Sequence, residues 1–246
     1  MDRMIYTAMT GAKHTLEQQA TVSHNLANAS TTGFRAQIDA FRAVPVEGAP
    51  LPTRAFVVDS TTGTDFRAGV IQQTGRPLDV AIEGDGWFAV QAEDGSEAYT
   101  RNGSFELDEN GVLRTAGGLI VQGDGGALSI PPGSNLAVGR DGTISLLPDG
   151  SAATGLTTVG RLKLVNPPPG ELARGDDGLF RLKDGGAAET DPDVKVLSGA
   201  LESSNVNVVD AMVDMITLAR QFEMQMKLLQ HAEGNDSKAA QLLSLS

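Results

Sequence analysis

The sequence predicts an α+β protein whose N- and C-terminal helices pair as a coiled-coil-like domain, with a mainly antiparallel β domain inserted between them. Three observations carry this. Val208, Met212, Met215, Ala219, Phe222, Met226 and Leu229 repeat every 3.5 residues with polar residues between them, the pattern of a helix that needs a partner helix. Ile5, Met9, Ala12 and Leu16 follow the same spacing near the other end, and the phase continues through Gln19 and Ser23 to Leu26. Between the two, the apolar period drops to two and glycine turns punctuate the chain.

Residues 1–36 read as the N-terminal helix and its exit. Asn28 to Gly33 holds the small, polar and glycine residues that stop a helix, because their side chains compete for backbone hydrogen bonds and glycine accepts positive φ. Gly33 is expected at that turn with φ > 0, and Phe34 re-anchors the chain. Residues 37–77 read as an extended or β connector, since Pro45, Pro50, Pro52 and Pro77 interrupt any long helix while Ala55 to Val58 is β-like.

Residues 78–200 read as the β-rich outer domain. Leu78, Val80 and Ile82 alternate with Asp79 and Ala81, and short β-compatible runs follow, among them Trp87 to Gln91, Ser104 to Leu107, Leu119 to Gln122, Leu128 to Ile130 and Thr143 to Leu146. Gly84-Asp85-Gly86, Asp94-Gly95, Asn102-Gly103, Asn110-Gly111 and Asp141-Gly142 supply tight hairpin turns. Residues 201–246 form the C-terminal helical segment. From Val208 to Leu229 a helix spans about 33 Å at about 1.5 Å per residue, too long and one-sided to be stable alone in water. On this phase Gln225 falls on the more polar face.

Charge and composition narrow the function. The chain of 246 residues has no cysteine and a formal charge of −12, of which residues 1–35 hold +1 and residues 201–246 hold −3, leaving −10 on the interior. An acidic middle argues against nucleic-acid binding. Without cysteine the fold uses no disulfide or thiolate metal site. The N-terminus lacks the apolar core of a secretory signal, and no run approaches the roughly 20 apolar residues of a membrane span. The histidines, His14, His24 and His231, fall at no metal-ligand spacing, and no Ser sits in a Gly-x-Ser-x-Gly elbow. Asp108-Glu109-Asn110-Gly111 and Asp176-Asp177-Gly178 offer oxygen ligands but lack the closing Glu of a calcium loop. No catalytic residue, cofactor, metal or small-molecule substrate is assigned.

Asn25-Leu26-Ala27-Asn28, followed by Thr31 and Gly33-Phe34, resembles the N-terminal signature of the flagellar rod and hook axial proteins. Leu78 to Ile82 leading into Gly84-Asp85-Gly86-Trp87-Phe88, then Tyr99 to Phe105, and Glu202-Ser203-Ser204-Asn205-Val206-Asn207 agree with it, so the resemblance covers essentially the whole chain. Met1 to Met9 and Phe41 to Gly48 look most like a proximal-rod member of the family. The resemblance implies a non-enzymatic structural subunit of the proximal rod of the bacterial flagellar basal body, required for motility. It further implies a location in the rod across the periplasm, assembly with copies of itself and other rod proteins into a helical tube, and delivery by the flagellar type III export apparatus without a cleaved signal.

On the residues themselves, both helix seams are read as partner-binding surfaces. Met adapts to non-identical surfaces, which suits a segment meeting different partners. The alternatives are another rod or hook axial protein, or a carbohydrate-binding or enzymatic β domain with a groove lined by Trp87, Phe88, Tyr99 and Phe105.

Overall fold

A computed structural model describes residues 2–45, 55–131, 135–147 and 157–244. Met1, Val46 to Gly48, Pro50 and Pro52, which entered the sequence reading, lie outside the described residues. The chain divides into two units, the first made of residues 1–29, 36–65 and 206–246 and the second of residues 30–35 and 66–205.

The first unit contains helix α1 (Asp2–Ala27), strands β1 (Gln37–Pro45) and β2 (Ala55–Thr64), and the C-terminal helix α2 (Val208–Ser244). Helix α1 packs along α2 and also against the β1–β2 hairpin. The pair is antiparallel with a register shift between Ala40 and Phe41, so residues 37–45 and 55–64 of the connector in the sequence reading form a two-stranded ribbon, while residues 66–77 belong to the second unit. Such a ribbon is marginal alone. It is tied to α1 by Asn25, whose Nδ2 donates to Gln37 O and whose Oδ1 accepts Gln37 N, both at 2.8 Å, and by Thr21 Oγ1 donating to Asp39 Oδ1 at 2.8 Å.

Local chemistry fixes the helix ends. Asn28 closes α1, with its backbone N at 3.2 Å and its Nδ2 at 2.9 Å from His24 O. Asn207 caps α2: its Oδ1 accepts Val209 N at 3.0 Å and Asp210 N at 3.4 Å, satisfying first-turn amides that have no intrahelical partner. Asp210 adds negative charge where the helix dipole favours it.

The second unit begins with strands β3 (Ile71–Gln73), β4 (Val80–Glu83), β5 (Trp87–Gln91), β6 (Glu97–Thr100), β7 (Phe105–Leu107), β8 (Leu113–Thr115), β9 (Ile120–Gly123) and β10 (Gly126–Ala127). It continues with β11 (Asn135–Val138), β12 (Thr143–Leu147), β13 (Thr157–Arg161), β14 (Leu164–Val165), β15 (Leu172–Arg174), β16 (Phe180–Leu182), β17 (Lys195–Ser198) and β18 (Ala200–Glu202). The main sheet runs β15-β16-β6-β5-β9-β8-β7, with β10 beside β9 and β14 beside β5. Strands β11, β12 and β13 form a second sheet, and the late strands close on the early ones as β17–β4 and β18–β3. Leu128 to Ile130, expected as a strand, instead follows β8 only through the Val112–Ser129 bridge and two flanking hydrogen bonds.

Strand β5 is buried on both faces. Phe88 and Val90 enter the main core with Val80, Ile82, Phe105 and Leu113, whereas Trp87 and Ala89 enter a second cluster with Tyr99, Val165 and Phe180. The hairpin turns use aspartate as the sequence suggested: Asp94, Asp108, Asp141 and Asp177 each accept the amide two residues on, at 2.8 to 3.1 Å.

Candidate functional site

In the helical unit, the seam that α1 and α2 form with each other lies one residue off the predicted phase at alternate positions. Ala8, Ala12 and Thr15 are the buried residues of α1, while Ala211, Leu218 and Ala232 are those of α2. Between the latter, Met215, Phe222, Gln225 and Leu229 are half-buried, giving a continuous heptad on 211, 215, 218, 222, 225, 229 and 232. Of the predicted residues, Ala12 is buried, and Ile5, Leu26, Met215, Ala219, Phe222 and Leu229 are half-buried. Met9, Leu16, Val208, Met212 and Met226 are exposed, by 55%, 49%, 40%, 51% and 39%.

Gln225, expected on the polar face, faces α1. Its Nε2 donates to Thr15 Oγ1 at 3.3 Å, its Oε1 is buried with no hydrogen-bond partner among the described residues, and a Cβ added at Gly11 would lie 2.8 Å from that Oε1. The physical reason for the shift is size. Gly11, Ala8, Ala12 and Ala211 let the two helices approach closely, which turns the bulkier Met9, Leu16, Met212 and Met226 outward. With Val209, Val213 and Ile216, also exposed, these residues leave the first half of α2 with an apolar outer face.

In the second unit the sequence motifs converge on one buried carboxylate. Glu202 is 1% exposed. Its Oε1 lies 2.7 Å from Arg35 Nη1, a close ion pair rather than an aligned hydrogen bond, and accepts Gly69 N at 2.8 Å. Its Oε2 accepts Arg101 Nη1 at 3.0 Å, and its backbone carbonyl accepts Gly33 N at 2.8 Å. Arg101 also donates to Gly84 O at 2.7 Å and stacks over Trp87 at 5.4 Å. Burial pulls the Arg101 pKa below the ordinary guanidinium value, against the pull of Glu202. Arg174 donates to Arg35 O at 2.8 Å and covers the Phe34 ring at 4.6 Å. Gly33 has φ +69° as expected, and its Cα hydrogen points at the Arg101–Asn102 peptide: a Cβ there would fall 2.4 Å from Arg101 C. Asn205 N donates to Phe34 O at 3.3 Å, and Ser204 is buried beside it in sequence.

Three family profiles match: Flagella basal body rod protein over residues 5–35, Flagellar hook protein FlgE/F/G D1 domain over residues 81–146, and Flagellar basal body rod FlgEFG protein C-terminal over residues 197–242. The Flagellar basal-body rod protein FlgF of Escherichia coli (strain K12) is 52% identical over 252 residues, covering 100% of both chains. The chain belongs to the FlgF family of flagellar basal-body rod proteins. FlgF of Salmonella typhimurium is 50% identical over the full length of both chains, whereas the rod protein FlgG of Buchnera aphidicola (Schizaphis graminum) is 32% identical and covers 90% of this chain. The protein is a structural rod subunit of the flagellum, not an enzyme.

Within this rod family member, the aromatic groove of the alternative reading does not exist: Trp87, Phe88, Tyr99 and Phe105 are 4%, 0%, 0% and 1% exposed and belong to the two cores. The motif residues divide by unit. Asn25, Leu26, Ala27 and Asn28 end α1, with Asn25 holding β1, Gly33 meets Glu202 and Phe34 meets Asn205 at the Glu202 cluster, Thr31 O accepts Phe34 N at 3.3 Å, and Val206 and Asn207 begin the return into α2. Sequence reasoning missed the roles of Arg35, Gly69, Arg101 and Glu202. A charged residue inside an otherwise uncharged motif was the available signal for each of the three charged ones.

Proposed function

We propose that this chain is a subunit of the proximal part of the rod, joining copies of itself and other rod proteins through the outer faces of α1 and α2. The observation that carries the reading is the set of apolar residues left outward after the helices pair: Met9 and Leu16 on α1, and Val208, Met212, Ile216 and Met226 on α2. A monomer has no use for such a surface, and its burial against a neighbouring helix drives association. A heterologous contact that does not close produces a helical filament, the form a tubular drive shaft needs. The chain reaches the periplasm through the flagellar type III export apparatus without a cleaved signal, and motility depends on it. Imaging of basal bodies with and without this gene product tests the reading. Loss of the rod in its absence is expected, and an intact rod would contradict it.

A further inference from the structure

We propose that the Arg35–Glu202–Arg101 cluster is a force clamp that keeps tension between the 30–35 segment and the Asn205 exit of the β unit from unzipping its sheets. The chain passes through the β unit at residues 30–35, returns to the helical unit at Ala36, re-enters at Phe66 and leaves at Asn205, so a displacement of the helical unit pulls on the 30–35 segment and on the exit at Asn205 as well as on the Phe66 entry. The 30–35 segment and the exit lie side by side, joined by Gly33 N to Glu202 O at 2.8 Å and Asn205 N to Phe34 O at 3.3 Å. Behind them is a weak element: β18 pairs only with β3, through Ala200–Gln73, Leu201–Gln72 and Glu202–Ile71, and β3 is exposed along its length. A pull beyond Asn205 would first break Asn205 Nδ2 to Arg67 O at 3.0 Å and Ser203 N to Val70 O at 2.9 Å, then peel β18 from β3 one bond at a time from Glu202.

Glu202 is the residue that is pinned. Drawing it out of the cluster requires its contacts with Arg35, Arg101 and Gly69 to break together, in a site where the Arg35 and Arg101 side chains are 0% and 4% exposed. Breaking a buried pair leaves uncompensated charge, so the barrier is far higher than for one exposed strand bond. Gly69 lets the clamp close this tightly, since a Cβ there would lie 1.9 Å from Ser203 O. Load applied between the 30–35 segment and the Asn205 exit therefore passes between Arg35 and Glu202 without entering the sheets. The inference rests on the rod reading for its purpose, because a rotating shaft strains its subunits, but not for its measurement.

The test is single-molecule pulling of the full chain, which has no native cysteine, through handles at Ser30→Cys and Val209→Cys. Glu202→Gln should unfold roughly tenfold faster or more at equal force in this geometry. The same substitution should change the rate by less than about threefold when the handles are Glu109→Cys and Asp176→Cys, exposed turn positions on opposite sides of the main sheet. Arg35→Lys, which keeps the charge and loses the planar fork, serves if Glu202→Gln does not fold, and should accelerate unfolding severalfold in the first geometry alone. An equal acceleration in both geometries would make the cluster ordinary core pairing and overturn the proposal, as would an unchanged rate in the first. Basal-body assembly is scored in cells, so failure of the rod reading and failure of the clamp are separate results.

Discussion

At Gly33 a left-handed backbone and a packed neighbour act together. The conformation alone costs an L side chain about 1 to 2 kcal/mol, and the Cβ would collide with backbone atoms of Arg101 and Asn102, which cannot swing aside as the end of a flexible side chain can. Gly33→Ala is therefore expected to destabilise the β unit by more than about 2 kcal/mol, measured by urea unfolding followed through Trp87 fluorescence. Gln225 presents the opposite case. Its buried Oε1 lacks a partner among the described residues, a condition that costs about 1 to 3 kcal/mol, so Gln225→Leu should raise the melting temperature of the helical unit whereas Gln225→Asp should lower it. Tyr99 supplies a pH dependence: burial pushes its pKa up to about 12 from 10.0, the acceptor Glu97 adding to the shift and the Ala188 amide opposing it. A neutral group whose folded pKa is raised contributes stability that is complete below the unfolded value and lost as pH climbs toward the folded one. The melting-temperature advantage of the wild type over Tyr99→Phe should thus be constant below about pH 9.5 and shrink between pH 10 and 12.

The elements were legible in the sequence to different depths. Both helices follow from their heptads, and the hairpins at Asp94-Gly95, Asn110-Gly111 and Asp141-Gly142 follow from those pairs, whereas Gly84-Asp85-Gly86 and Asn102-Gly103, also read as hairpin turns, join strands that pair elsewhere, β4 with β17 and β7 with β8. The phase of the helix pair did not follow, because α2 carries two overlapping apolar stripes and periodicity does not say which one faces the partner within the chain. Close approach at Gly11, Ala8, Ala12 and Ala211 decided it. Strands β3, β17 and β18 were not read because they are short and pair across the length of the chain, and the partners of Glu202 were invisible for the same reason of distance. Ala219, half-buried beside the intrachain seam, illustrates the consequence for mutagenesis. Ala219→Asp is expected to prevent incorporation into the rod, but its position predicts that it also lowers the melting temperature of the helical unit, measurable by circular dichroism at 222 nm.

For the whole molecule, the architecture separates two tasks. The second unit closes its last strands on its first through β17–β4 and β18–β3, and the first unit pairs the chain's ends while keeping an apolar surface outward. The central claim is that this outer surface of α2, rather than the seam shared with α1, builds the rod. The double substitution Met212→Asp and Ile216→Asp tests it directly, since both side chains are exposed in the folded chain and an aspartate buried there against a partner would cost several kcal/mol. The measurement is the amount of this subunit in purified basal bodies from cells expressing the variant, with Gln221→Asp, exposed off that stripe, as the matched control. The account predicts a variant with wild-type melting temperature that is absent from basal bodies while the control is retained; a variant that melts normally and is incorporated at the control's level would contradict it.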